Sequence, residues 1–387
     1  MLRGFVFGFV RPKKEERYGD AELIQGKVNL LIDGYCGEAA RKLISYLKKR
    51  KIKDLYLLAT HIHYDHVDGL AQIVRDGYFN VKAIYCYDPV TLKTGLRNNK
   101  GSRAAREDIE AFENFITEAK AKGIKVVYLK HGDKVTLGDI KFQVFRQQPP
   151  VVEDDDTEAY SYINDGSLCI YFYELYYLTS GDGSERLYDF AKSLGLKVKY
   201  FKIPHHGNNC TKLQAEGFKA DGANVCWYND LEPNGVGTCD FTAYGARRCK
   251  EAGIKVLEAV GDINWIAKSG YMVIYKGSKK YTYPIKYQGK STLKSPTVNI
   301  IRKIFEKKFS SGDRRNTLLI DAGYYPLAAQ NKVNMVIKVA KDIISKKVNF
   351  GTNETRLANL DKKYGKGYGQ LIQDEINSLL NAKSKKW

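Results

Sequence analysis

Apolar and polar positions change rhythm along the chain, and the rhythm divides it. Val28–Ile32 is an apolar run that stops at Asp33-Gly34, as a buried strand ending in a turn does. EAARKLISYLKKRKI, residues 38–52, repeats its apolar positions at helical spacing and predicts an amphipathic helix. DLYLLAT, residues 54–60, is again a buried strand, and it runs straight into His61. Further strands are predicted at 82–87, 125–129, 140–146, 168–178, 197–203, 223–228 and 271–276, and helices at 103–122, 184–194 and 241–252. The opening MLRGFVFGFV reads as a first strand. Strands and helices alternate, and polar residues collect in the loops at strand ends. That pattern predicts a layered α/β domain with its site at those ends.

The rhythm changes in YQGKSTLKSP, residues 287–296, which is polar and ends in Pro296, a linker composition. Beyond it helical periodicity dominates and the sequence repeats itself. Lys307-Lys308 recurs as Lys346-Lys347 and Gly312 as Gly351, both 39 positions on, whereas Asn334 recurs as Asn377, 43 on. The predicted organisation is an α/β domain over 1–287, a linker over 288–297, and two helical repeats at 298–335 and 336–381.

Composition narrows the class. Of 387 residues, 43% are hydrophobic and 28% charged, as in a globular protein with room for more than one domain. No apolar run reaches the roughly 18 residues of a membrane span, and the first residues lack a cleavage site, so no membrane span and cytoplasmic synthesis without a signal peptide are expected. Seven cysteines without paired spacing predict reduced thiols. The net charge is +19, and residues 291–387, with 19 Lys/Arg against 8 Asp/Glu, carry +11 of it. Such a surface favours anionic partners: nucleic acid, cell-envelope polymer or a phosphorylated substrate.

Three of the six histidines lie in THIHYDHVDG, residues 60–69. His61 and His63 leave a strand at i and i+2, so both imidazoles can face one way, and Asp65 and His66 follow in the turn. Three imidazoles and a carboxylate this close can serve two divalent metals, and the donor set suits zinc. LTSGDGSE (178–185) places Asp182 between two glycines after one strand, and YFKIPHHGNN (200–209) places His205 and His206 after another. His131, alone in KHGDKVTLG, is read as a turn residue with no metal role.

These motifs in this order resemble the metallo-β-lactamase-fold hydrolases over residues 3–285. GDAELI…LLIDGY, HGDKVTLGDIKFQVF, SLCIYFYELYYLTSGD and IPHHG resemble one branch, which holds the hydrolase domain of DNA-uptake competence proteins and the teichoic-acid phosphorylcholine esterases. The resemblance implies an αββα sandwich with metals at one edge, followed here by a small all-α repeat domain. It implies His61 and His63 on a first metal, Asp65 and His66 on a second, and Asp182 bridging both. His205 is the favoured further ligand of the second metal, with His206 the alternative; the histidine left over would donate a proton to the substrate. The family's extra first-site histidine has no match, and Asp154, Asp155 or Asp156 stands in its interval. Cys210 and Cys239 read as buried, inert thiols rather than ligands.

The implied cofactors are two divalent ions, zinc first and manganese second. The implied chemistry is attack on a phosphodiester by water made acidic between two cations, with Asp65 orienting it. The tail resembles the cell-wall-binding repeats of phage lysozymes, which implies a bacterial cell-wall polymer as partner. The Arg315 and Arg356 regions and the Tyr324 and Tyr368 turns would be its contacts. The leading expectation is a phosphodiesterase acting on envelope polymer at the wall. The alternative is a DNA nuclease or cyclic-nucleotide phosphodiesterase. A non-catalytic wall adaptor is opposed by the intact histidine motif.

Overall fold

A computed structural model describes residues 1–7, 19–88, 103–146, 163–228, 244–258, 262–268, 270–288, 293–310 and 312–384. The chain forms two compact units, Met1–Lys276 with Tyr281–Ser291, and Gly277–Lys280 with Thr292–Trp387.

The first unit contains two sheets. Its strands are β1 (Leu2–Val6), β2 (Glu22–Gln25), β3 (Asn29–Ile32), β4 (Asp54–Leu58), β5 (Asn80–Cys86), β6 (Lys125–Tyr128), β7 (Lys134–Leu137), β8 (Ile140–Arg146), β9 (Leu168–Phe172), β10 (Tyr177–Thr179), β11 (Tyr200–Lys202), β12 (Val225–Tyr228), β13 (Lys255–Glu258), β14 (Ile263–Lys268), β15 (Tyr271–Lys276) and β16 (Lys279–Pro284). One sheet has the order β16-β15-β14-β1-β2-β3-β4-β5-β6, the other β13-β12-β11-β10-β9-β8-β7. In each, one half is antiparallel and the other, β3 to β6 or β10 to β13, is parallel.

Parallel neighbours need crossovers, and helices supply them. α1 (Gly37–Lys49), α2 (Tyr64–Arg75) and α3 (Arg103–Ala121) link β3 through β6. α4 (Leu187–Ser193), α5 (Lys212–Ala220) and α6 (Tyr244–Glu251) link β10 through β13. The second set packs on the outer face of its sheet, where Phe145, Tyr171, Leu178 and Phe201 meet Tyr188, Ala215, Phe218 and Cys249. On the inner face Tyr177 of β10 stacks near Trp227 with ring centroids 4.9 Å apart and reaches the other sheet, donating its hydroxyl to Glu22 of β2 at 2.6 Å. The layers therefore run helix, sheet, sheet, helix, the αββα arrangement expected. In open α/β sheets, sites form beyond the carboxyl ends of parallel strands. Here the ends of β3, β4, β10 and β11 carry Asp33, His61, Asp182 and His205-His206.

Two expectations change in detail. Residues 168–178 are two strands, not one, because the chain reverses after Phe172 with Tyr176 at φ 54°. No Gly, Pro, Asn or Asp marks that turn. The turn expected after His63 is the first turn of α2, which buries Val67, Leu70, Ile73 and Val74 at helical spacing.

The second unit is helical: α7 (Val298–Phe305), α8 (Gly312–Asp321), α9 (Pro326–Ile344), α10 (Asn353–Tyr364) and α11 (Tyr368–Ser384). Ile301, Leu319, Val333, Val336, Leu360 and Ile372 contribute to one shared core. α9 runs unbroken through residues 335 and 336, where one expected repeat gives way to the next. In the segment expected to be a linker, Lys294 donates its backbone N–H to Gly323 and accepts from Tyr325. One side-chain relay occurs twice in this unit. Arg315 donates Nε to the Ser310 carbonyl and Nη1 to Gln330, whose amide donates to Asn334. Arg356 does the same with Gly351, Gln373 and Asn377. Among the described residues no helix is long and apolar enough to cross a membrane.

Candidate metal centre

The first motif is positioned by Asp33, the residue at which β3 ends. Its carboxylate accepts the Thr60 backbone N–H at 2.8 Å, the Thr60 hydroxyl at 2.7 Å and His66 Nδ1 at 2.8 Å. With Nδ1 turned to Asp33, His66 aims Nε2 at Asp182 Oδ1, 3.2 Å away. The Thr60 oxygen lies 3.2 Å from His61 Nδ1, so Asp33 also orients His61 through Thr60. His61 Nε2 in turn faces His63 Nδ1 at 3.1 Å and Asp182 Oδ2 at 3.7 Å.

Asp182 reaches this place because Gly181 precedes it. Gly181 has φ +55°, and an added Cβ would stand 2.3 Å from the Thr60 hydroxyl oxygen. Gly19 does the same for Asp20: its φ is +80° and a Cβ would collide with the Asp65 carbonyl at 1.3 Å.

The histidine pair divides. His205 and His206 both adopt left-handed backbone, at φ 51° and 52°, which costs of order 1–3 kcal/mol each. His206 turns inward, with Nε2 at 3.2 Å from Asp65 Oδ2 and 3.5 Å from Asp182 Oδ2, and Nδ1 at 3.6 Å from Asp20 Oδ1. His205 stays at the rim, its side chain 36% exposed and Nε2 3.8 Å from Asp182 Oδ2. The sequence reading favoured His205 as the ligand, with His206 the alternative; in the structure it is the His206 ring that lies among the carboxylates.

Two donor groups result. His61, His63 and Asp182 form one; Asp20, His66, Asp182 and His206 form the other, with one donor atom of each within 4.8 Å of the rest. Asp182 is common to both. Asp65 faces the second group through His206. Asp20 was missed from the sequence, where GDAEL offers only an ordinary carboxylate. His131 lies apart, its ring against Phe145 and Phe190 and its Nδ1 accepting the Arg146 N–H at 3.3 Å. Cys210 packs in the outer core with its sulfur 3.6 Å from that of Cys249. Asp154, Asp155, Asp156 and Cys239 lie outside the described residues.

The electrostatics suit cations. Among the described residues, the carboxylates of Asp20, Asp33, Asp65 and Asp182 share this region with Lys202, which ion-pairs with Asp20. Burial alone would raise the pKa of Asp182, but His66, His206 and His205 hold it well below the carboxylate range. Burial likewise opposes charge on His66, yet Asp182, Asp33 and Asp65 outweigh it and lift its pKa well above the imidazole range. Burial dominates at His61, which is pushed well down, and at His63, pushed down to about 4, so both are neutral donors at pH 7. His66 Nε2 and Asp182 Oδ1 are buried and face each other at 3.2 Å. Buried imidazoles and carboxylates converging within 4.8 Å of one another, in an excess of negative charge, fit divalent metal ions.

No protein-family model matches this chain, and no curated protein matches it. Solved structures similar to it include the metallo-β-lactamase-fold protein YhfI from Bacillus subtilis, at 16% identity and TM-score 0.41 over 68% of this chain and 98% of that one. Others are a metallo-β-lactamase family protein from Thermus thermophilus, at 16% identity and TM-score 0.28 over 46% and 58%, and a mutant of a flavo di-iron protein from Thermotoga maritima, at 21% identity and TM-score 0.27 over 44% and 35%. The layer order, with the histidines at the strand ends, is that of an αββα sandwich with its site at one edge.

Proposed function

We propose that the chain is a metal-dependent hydrolase of phosphodiesters, directed to a cell-envelope polymer by its helical repeats. The observation that carries the reading is the pair of donor groups meeting at Asp182. His61, His63 and Asp182 would hold one ion, and Asp65, His66, Asp182 and His206 the other. When bound, divalent ions, zinc before manganese, supply Lewis acidity that lowers the pKa of water and neutralises charge on phosphoryl oxygens.

The protein's own groups do the rest. Asp33 fixes the His66 ring directly and the His61 ring through Thr60. Buried walls exclude bulk solvent from His61, His63 and His66. His205, at the rim, is placed to hand a proton from Nε2 to a leaving oxygen.

The repeats support the envelope reading through their shared relay. A polar chain of Arg, Gln and Asn kept in both copies is not needed to fill a core. Two linked weak sites bind a polymer better than one. Arg315 and Arg356 engage Nε and Nη1 inside the relay, so a wall polymer would meet the relay as a unit; Tyr368, expected as a contact, is instead buried in the helical core at the start of α11, with Tyr324 packed against that core.

The test is hydrolysis of bis-p-nitrophenyl phosphate and of a phosphorylcholine ester by zinc-supplemented protein. Activity should fall at least about a hundredfold in Asp65→Ala with the fold retained. Activity on nucleic acid with none on envelope polymer would select the nuclease alternative, and absence of any phosphoesterase activity would overturn the proposal.

A further inference from the structure

Lys202 is 3% exposed and ends β11, three residues before His205. Its ammonium ion-pairs with Asp20 and donates to the Gly181 carbonyl at 3.1 Å. That carbonyl also accepts the His205 backbone N–H at 3.1 Å. One side chain thus joins the loop before β2, the loop carrying Asp182 and the strand leading to the histidine pair. A fixed cation beside a cation site repels what the site would bind, and burying it is costly unless it is paired. Its placement calls for a function.

The carboxylates define that function. Asp20 and Asp65 stand on opposite sides of the His206 ring: Asp20 Oδ1 faces Nδ1 at 3.6 Å, and Asp65 Oδ2 faces Nε2 at 3.2 Å. Asp20 is close enough to His66 and Asp182 to be a ligand itself. Two carboxylates, of Asp20 and Asp65, therefore stand within reach of the second group. Lys202 claims one oxygen of Asp20, and the other oxygen faces the Nδ1 side of His206, away from the edge that meets Asp65 and Asp182. From this geometry we infer that Lys202 is a positioning residue: it keeps Asp20 outside the second metal's coordination shell as the carboxylate that orients His206, and leaves the ligand place to Asp65. The inference rests on the two-metal reading above. By keeping Asp20 from joining Asp65 as an additional carboxylate ligand, Lys202 also keeps the second site richer in imidazole, which favours zinc over manganese.

The experiment is metal titration of the full chain against a chromophoric chelator, with Zn²⁺ and Mn²⁺ separately. Wild type should take up two equivalents; if it takes up none, the two-metal reading fails before Lys202 is at issue. Lys202→Met/Asp20→Asn, which removes the buried pair together, should still take up two, the second weakened about 10- to 100-fold as expected for loss of an orienting carboxylate. Asp65→Asn should lose the second equivalent. Lys202→Met alone should free Asp20 and shift the zinc-to-manganese affinity ratio toward manganese by about tenfold or more. A drop of the double variant to one equivalent would make Asp20 a ligand and overturn the inference. So would a folded Lys202→Met with an unchanged ratio. Should Lys202→Met fail to fold, the stoichiometries of the double variant and Asp65→Asn still decide.

Discussion

Asp33 Oδ2 lies 2.8 Å from His66 Nδ1, and the same oxygen accepts the Thr60 hydroxyl at 2.7 Å. One carboxylate at the end of β3 thereby sets the ring orientation of two proposed ligands, His66 directly and His61 through Thr60. Asp33→Ala should weaken zinc binding by about 10- to 100-fold and lower folding stability by roughly 1–3 kcal/mol, because Thr60 and His66 lose a buried acceptor. Chelator competition and urea unfolding measure the two effects separately. Unchanged zinc affinity would remove Asp33 from the site.

Glu22 makes a second prediction. It is buried between the sheets, accepting from Tyr177 at 2.6 Å and from Trp265 Nε1 at 3.4 Å. Burial outweighs those donors and lifts its pKa to about 7 from an ordinary 4.5. A carboxyl whose folded pKa is raised contributes stability that is full below its unfolded pKa and lost as pH rises through the folded one. Between pH 4.5 and about 7 the wild type should therefore lose about 3 kcal/mol relative to Glu22→Gln. Denaturant melts of both proteins across that range check it; parallel curves would contradict it.

The relay of the repeats makes a third. Gln330→Ala and Gln373→Ala each interrupt one chain from arginine to asparagine. Each should cost about 1 kcal/mol of stability. If the relays contact wall polymer, each should also reduce pelleting of the full chain with purified cell walls by about a hundredfold or more, since one site loses the advantage of two. Retention unchanged in both variants would count against wall binding through the relays.

How much of this was legible in the sequence depends on the rarity of the residue. Histidines are scarce here, so His61, His63, His66, His205 and His206 stood out, and Asp182 stood out between its glycines. Asp20 and Asp33 did not, because a carboxylate after a glycine or at a strand end looks like any turn residue. Their roles appear only when β2, β3, β4 and β11 bring four loops to one edge. That the His206 ring turns inward while His205 stays at the rim is visible only in the contacts after β11, which no residue pattern encodes. Helix α2 was hidden by the chemistry of its first turn, though Val67, Leu70 and Val74 carry its period. In the tail, Gly312 matched Gly351 by residue type, but the relay makes Ser310 the counterpart of Gly351, since both carbonyls hold the arginine.

The central claim is that two divalent ions meet at Asp182, and metal content tests it most directly. Full-length protein, supplemented with zinc and passed over a desalting column, should hold two ions per chain by elemental analysis. Asp182→Ala should disturb both sites and fall below about one, while His131→Ala, whose ring packs on Phe145 and Phe190, should keep two. Wild-type protein that is folded and holds less than one ion per chain, or an Asp182→Ala variant that holds two, would contradict the account.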